Sequence, residues 1–275
     1  MKTLFPLFLS LAAVLLSACS ESPYISVSLD GSTSMERVAG ALIEGYREEA
    51  DSVKINYSGT GSGAGIEAVL SGLCDIGLSS RALKDSEIRK GAVAHLIALD
   101  GIAVIVHPSN PVENLSTAEL AAVFSGRITN WSVLGGTDSP IAVYGREAGS
   151  GTRTAFEDAT GTAGLCRYRN EYNSTGDIVG NIASNPNGIG YVSLSNVGGS
   201  TKALRIDGIP CSEETIRSGQ YGIQRPFLFV TSAQRKLTEA TAAFLHFASG
   251  EKAKEYITIA GAVAPHGKGG DHEVS

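Results

Sequence analysis

Tyr24-Ile25-Ser26-Val27-Ser28-Leu29-Asp30-Gly31-Ser32-Thr33-Ser34-Met35 is the stretch from which the rest of the chain is read. Tyr24 to Leu29 reads as a strand and Gly31 to Ser34 as a turn. Met35, Val38, Leu42, Ile43 and Tyr46 then keep helical spacing, and Thr33 with Glu36 matches a capping box that starts the helix. The pattern repeats: Val53 to Tyr57 reads as a strand, Gly59 to Gly65 as a glycine-rich turn, Ile66 to Leu70 as a helix and Asp75 to Leu78 as a short strand. This alternation predicts an α/β fold, a mostly parallel sheet covered by helices on both faces, with ligands at the carboxyl ends of the strands.

Further along, Ile102 to Val106 is a continuous β-branched run, expected for a strand buried on both faces, and His107-Pro108-Ser109-Asn110-Pro111 breaks it. A domain crossing is expected there. A second alternating region follows, with a helix at Thr117 to Phe124, a strand at Ile141 to Tyr144, a turn at Gly149 to Gly151, a helix at Thr152 to Asp158 and a strand at Gly188 to Val192. Arg225 to Thr231 reads as a strand that returns the chain to the first domain, followed by helices at Leu237 to Phe247 and Lys252 to Ile257. The expected division is 24–106 plus 226–266 for the first domain, 107–225 for the second, and a mobile polar tail at 267–275.

With 275 residues, 43% hydrophobic and 18% charged, the chain has enough apolar surface for one large or two small cores. A net charge of -6 without any run of Lys and Arg argues against a nucleic-acid partner. It does not exclude an anionic ligand, because backbone dipoles and one guanidinium act at contact distance. Lys2, the apolar run Leu4 to Leu16 and the small residues Ser17-Ala18 before Cys19 read as a secretion signal over residues 1–18, shorter than the ~20 apolar residues of a membrane span. Leu16-Ser17-Ala18-Cys19 resembles the lipobox of bacterial lipoproteins. Lipid on Cys19, with 19–23 as a tether, would hold the protein to the cell membrane on its extracytoplasmic side. That leaves Cys74, Cys166 and Cys211, an odd number; a Cys166–Cys211 bridge within the second domain is one possibility, and Cys74 reads as a buried thiol. The Cys and His spacings predict no metal site.

Three segments share one design, a strand, a turn of Gly, Ser and Thr, then a helix start: Gly31-Ser32-Thr33-Ser34, Gly59-Thr60-Gly61-Ser62-Gly63-Ala64-Gly65 and Gly149-Ser150-Gly151-Thr152. Helix N-termini expose backbone N–H groups at the positive end of the dipole, and each hydroxyl adds a donor without adding charge. Singly, each turn also reads as an ordinary helix cap. Together they can converge on one anion. The Gly59–Gly65 turn lacks the Lys of a nucleotide phosphate loop. Arg146, four residues before Ser150, adds a guanidinium fork beside the neutral donors, with Glu147 as an obvious ion-pair neighbour.

These residues resemble the phosphate-binding proteins of bacterial phosphate ABC transporters, over Ile25 to about Pro265. The marks are Asp30 to Ser34, Gly59 to Gly63, Asp75-Ile76-Gly77-Leu78-Ser79-Ser80-Arg81 and Arg146 to Thr152, with Val123 to Trp131 and Asn185 to Tyr191 as signatures away from ligand. The resemblance implies a class II periplasmic-binding-protein fold: two α/β domains joined by two crossings, with inorganic phosphate in the cleft between them. It implies Ser32, Thr33, Ser34, Ser62, Ser80, Arg146, Ser150, Gly151 and Thr152 as phosphate-binding residues. It further implies no cofactor, no catalytic residue, a monomer, and the permease subunits of a phosphate ABC transporter as partners. Ser80 departs from the family, whose well-known members have at its position an Asp that accepts the phosphate proton. A carboxylate there rejects fully deprotonated anions such as sulfate, whereas a hydroxyl can donate or accept. Asp30, Asp75 and Glu147 remain open as substitutes. The competing functions are a receptor for sulfate, molybdate or tungstate, an exported phosphatase built on Ser150, and a phosphate-sensing domain.

Overall fold

The computed structural model describes residues 25–265; the predicted signal, Cys19, the tether and the tail at 267–275 lie outside the described residues. Three parallel strands, β1 (Ile25–Gly31), β2 (Val53–Gly59) and β3 (Ile76–Ser79), stand in the order β2-β1-β3 and are linked by α1 (Glu36–Arg47) and α2 (Ser62–Ser71). α3 (Asp85–Arg89) leads into β4 (Ala92–Val106). β5 (Asn114–Leu115), α4 (Thr117–Phe124), β6 (Ala142–Arg146), α5 (Gly151–Ala159), β7 (Asn170–Tyr172), α6 (Thr175–Ser184) and β8 (Gly188–Ser193) follow. The chain ends through β9 (Lys202–Ala203), β10 (Arg205–Ile206), α7 (Glu213–Arg217), β11 (Gln224–Ser232), α8 (Glu239–Ala248) and α9 (Ala253–Ile259). The main sheet runs β2-β1-β3-β11-β4-β8-β6-β7.

Apolar side chains collect in separate cores on the two faces of each half of this sheet. In the first half Val27, Leu29, Leu42, Phe229 and Phe244 fill one face, and Ile66, Val69, Leu228 and Val230 the other. In the second half Val104, Phe124, Trp131, Phe156 and Tyr191 lie on one face, and Ile105, Tyr144, Ile178 and Ile182 on the other. Each such side chain stabilises the fold by about 1.5–3 kcal/mol through burial. The two halves are called the first and second lobe below.

The lobes exchange core within β4, where Ile97 and Ala98 belong to the first and Ile102 to the second. The crossing expected after Val106 thus falls earlier, inside a 15-residue strand. Asp100-Gly101 interrupts the apolar run without ending the ladder, because Asp100 and Gly101 pair with Arg225 and Gln224 of β11. β11 makes the return crossing, and a third segment joins them: Val263 pairs with Leu99 and packs in the second-lobe core.

Three other expectations change. α2 starts at Ser62 rather than Ile66, so Gly63 and Gly65 lie inside the helix. A Cβ on Gly65 would sit 2.3 Å from the Asp30 carbonyl oxygen, so glycine there lets α2 press directly on β1. Thr33 does not cap α1: the helix is entered through a 3-10 turn at Thr33–Met35 with no side-chain cap bond. Cys74, Cys166 and Cys211 are all free thiols. The Cys166–Cys211 bridge is not formed because Cys166 turns to the Thr162 hydroxyl at 3.3 Å, while Cys211 lies against Gly101 of β4. Burial pushes the Cys74 thiol up to about 12, which keeps it inert.

Candidate functional site

The carboxyl ends of β1, β3 and β6 meet between the lobes. Gly31 closes β1 at φ 141°, and a Cβ there would lie 2.3 Å from the Leu78 carbonyl oxygen, so the turn into Ser32 requires glycine. Ser32 Oγ donates to Ser80 Oγ at 2.8 Å, and the Tyr57 hydroxyl holds the Ser32 carbonyl at 2.8 Å. Ser62 Oγ accepts from the Ser80 N–H at 3.1 Å and lies 3.2 Å from Ser80 Oγ. These are first-lobe residues.

Across the cleft, Ser34 Oγ lies 2.6 Å from Thr152 Oγ1 and 3.1 Å from Thr175 Oγ1, and Thr33 Oγ1 lies 3.3 Å from Thr175 Oγ1. A Cβ on Gly151 would come within 2.3 Å of Ser62 Oγ and 2.8 Å of Ser80 Oγ, so the start of α5 reaches the first-lobe hydroxyls only because position 151 is glycine. Ser150 caps α5, its hydroxyl accepting from the Arg153 N–H at 3.3 Å. All nine residues expected from the sequence come together here, and all nine are buried. Ser62 opens α2, Gly151 opens α5 and Thr175 opens α6, so the contacts of these three residues bring helix N-termini from both lobes to the hydroxyl cluster.

Arg146, the last residue of β6, is 2% exposed. Its Nε donates to the Tyr172 carbonyl at 3.0 Å, Nη2 to the Asn173 carbonyl at 2.7 Å and Nη1 to Thr175 Oγ1 at 3.2 Å. The backbone is clamped as well, its N–H donating to the Tyr191 hydroxyl at 3.3 Å and its carbonyl accepting from Arg153 Nη1 at 2.9 Å. Burial pulls the guanidinium below its ordinary pKa, and the carboxylate of Glu147 opposes that pull. Glu147 Oε2 lies 3.3 Å from Arg146 Nε, buried and off any hydrogen-bonding direction.

The two other carboxylates considered from the sequence are engaged elsewhere. Asp75 Oδ2 accepts from the N–H and hydroxyl of Ser28 at 2.8 and 2.7 Å, and Asp30 Oδ1 accepts from Thr60 at 2.6 Å. The sequence reading missed Thr175 and Arg225. Thr175 carries a legible signal, since Ser174 with Asp177 three residues on is a cap pattern and Ser174 does cap α6. Arg225 donates from Nη1 to the Ser80 carbonyl at 3.3 Å, so Arg146 is not the one guanidinium against this cluster. Its signal was a lone charge opening an apolar strand, matched by the opposite charge of Asp100 in another.

A family model described as a PBP superfamily domain matches residues 17–252. The phosphate-binding protein PstS of Bacillus subtilis is 32% identical over 206 residues, covering 72% of this chain and 67% of its own length. That of Borreliella burgdorferi is 28% identical over 245 residues, covering 84% and 88%. Among solved structures, a phosphate ABC transporter substrate-binding protein of Clostridium perfringens, determined with bound phosphate, superposes with a TM-score of 0.85 at 36% identity, covering 87% of this chain and 99% of its own. An ABC-type phosphate transport receptor of Vibrio cholerae gives a TM-score of 0.72 at 32% identity, covering 87% and 100%. With two lobes closing on a hydroxyl-lined cleft, and with relatives of this likeness along most of its length, the chain belongs to the PBP superfamily, in the family of the phosphate-binding proteins of ABC transporters.

Proposed function

We propose that the chain captures inorganic phosphate in this cleft and delivers it to the permease of an ABC importer. The observation that carries the reading is the buried cluster of Ser32, Thr33, Ser34, Ser62, Ser80, Thr152 and Thr175 under Arg146, contributed by both lobes. A dianion leaving water requires a donor for each oxygen. Hydrogen bonds to charged groups contribute about 1.5–3 kcal/mol each, and several of them with one guanidinium account for micromolar or tighter capture. The hydroxyls that bond one another across the cleft can each turn their donors to a ligand oxygen. Ser150 and Gly151 serve through the N-terminus of α5. The lobes, divided near Leu99 and Gln224, would close on the ligand and so present a distinct shape to the permease. Capture at the extracytoplasmic face by a monomer held by lipid on Cys19 completes the reading. Ser150 as a nucleophile is disfavoured, because its hydroxyl faces the Arg153 N–H as a cap rather than a base.

A second reading keeps the cleft and changes the anion to sulfate, molybdate or tungstate. It is favoured by Ser80, which accepts from Ser32 and so keeps its own proton for donation. Calorimetric titration of residues 20–275 with phosphate, sulfate and molybdate tests both. Phosphate binding at micromolar concentration with at least tenfold weaker sulfate is the expected result. Equal affinities would move the assignment to oxyanions in general, and a folded protein binding none of them would refute it.

A further inference from the structure

Behind Ser80 lies a pair of charges that the ligand cluster does not contain. Asp100 of β4 and Arg225 of β11 face each other in register on the two strands that cross between the lobes. Their side chains are 0% and 1% exposed. Arg225 Nε donates to Asp100 Oδ2 at 2.9 Å, Nη1 donates to the Ser80 carbonyl at 3.3 Å, and Nη2 lies 2.9 Å from Asp100 Oδ2 without an aligned hydrogen bond. The other carboxylate oxygen of Asp100 accepts from Ser193 Oγ at 2.7 Å, and Ser193 Oγ lies 2.7 Å from Ser195 Oγ. The Ser195 carbonyl then accepts from Arg37 of α1, the helix entered through Thr33 and Ser34.

We propose that Arg225, held by Asp100, is a positioning residue for the oxyanion: it fixes the Ser80 peptide so that the Ser80 hydroxyl is presented to the ligand, and it ties that hydroxyl to lobe closure through Ser193, Ser195 and Arg37. This rests on the reading of the cleft as an oxyanion site. Buried ion pairs seldom contribute net stability over an apolar pair of the same volume, and this one spends a buried N–H without an aligned acceptor. Its placement supplies a use. The guanidinium bonds the carbonyl of Ser80, whose side chain and N–H both belong to the hydroxyl cluster, and the carboxylate bonds the second lobe. Movement of either lobe about the crossing strands is therefore felt at Ser80. The polar contacts of the Arg225 guanidinium go to Asp100 and to the Ser80 carbonyl, not to the hydroxyls that line the cleft. It acts through Ser80, whose hydroxyl lies between those of Ser32 and Ser62 on the first-lobe side of the cleft.

The test is a double-mutant cycle read by calorimetry with phosphate and with sulfate, using Arg225→Lys and Ser80→Ala singly and together. Lysine keeps the charge and loses the fork that serves Asp100 and Ser80 at once. Arg225→Lys is expected to weaken phosphate binding roughly tenfold, the scale of one hydrogen bond to a charged group, and to lower the phosphate-to-sulfate affinity ratio. In the Ser80→Ala background the same substitution is expected to cost less than about threefold, since coupled sites are not additive. The uncharged pair Asp100→Leu/Arg225→Met leaves no buried charge unpaired, so it keeps the cycle readable should the lysine variant misfold, and it is expected to show the same dependence on Ser80. Equal losses in both backgrounds, or an unchanged anion ratio, would make the pair a purely structural clasp and overturn the inference alone. A parent protein that binds neither anion would overturn the functional reading and the inference with it.

Discussion

Replacing Thr175 by valine removes one hydroxyl at nearly constant volume, and that hydroxyl sits within hydrogen-bonding reach of Thr33, Ser34 and Arg146. Phosphate affinity should fall by about 1.5–3 kcal/mol in calorimetry. The ligand-free melting temperature should fall as well, because Arg146 Nη1 loses its acceptor. Arg146 itself secures the Tyr172 and Asn173 carbonyls, so its removal would loosen the approach to α6 in addition to removing charge. A second residue-scale prediction concerns acid. Burial raises the pKa of Glu87, but bonds from Arg81 Nη1 and Nη2 at 2.9 and 2.7 Å and from the Lys84 N–H at 2.8 Å outweigh it and hold the carboxyl below its ordinary value. The group therefore contributes stability above the unfolded carboxyl pKa of about 4.3, and the contribution is lost as pH falls through the lower folded value. Melting temperatures followed into acid should drop less steeply for Glu87→Gln than for the parent, from a lower starting point. At this scale the sequence was informative where the site is local. Arg146 to Thr152 lie in one run, and so do Ser32 to Ser34. Arg225 reaches Ser80 across 145 residues and Thr175 reaches Ser34 across 141, and no spacing rule connects such pairs.

At the scale of the element, the start of α5 is the most constrained part of the cleft. Gly151→Ala should leave the helix intact, since alanine is the better helix former. The added methyl, however, would meet Ser62 and Ser80 below any normal contact distance. Affinity should fall by more than about 1.4 kcal/mol, a tenfold loss, and X-ray scattering should show no contraction on adding phosphate. Retained affinity would mean that the lobes meet differently. The same element shows why the periodicity reading located most helices yet misjudged α2. A helix whose first turn is Ser62-Gly63-Ala64-Gly65 has no apolar stripe until Ile66, so the pattern begins four residues late. Thr33 erred in the opposite direction. Its spacing to Glu36 fits a cap, but the hydroxyl is turned to the opposite lobe.

For the whole molecule, the proposed function makes ligand binding and closure one equilibrium. Closed contacts across the cleft include the Gly63 N–H to Gly149 carbonyl bond at 3.1 Å and the donation from Arg37 to the Ser195 carbonyl. Phosphate at about 1,000 times its dissociation constant should stabilise the closed protein by about 4 kcal/mol. For a domain of this size that is a rise in melting temperature of about 8–16 °C. Sulfate at the same concentration should give a clearly smaller rise. The α/β class was legible because strand and helix periods alternate along the chain. The position of the crossing was not, since Asp100-Gly101 looks like a strand end until Arg225 and Gln224 are seen pairing with it.

The three segments that meet at Leu99, Gln224 and Val263 also order the events of biogenesis. The first-lobe core joins Val27 and Leu29 to Phe229, Phe244 and Ile257, so a chain emerging from its N-terminus has made about half of that core's residues and none of their late partners. The second-lobe core draws almost entirely on residues between Ile102 and Ile223. The middle of the polypeptide can therefore consolidate before its beginning does, and the earliest residues made wait longest for their neighbours, leaving the edge of β3 that β11 will cover dependent on protection until the end of the chain is in place.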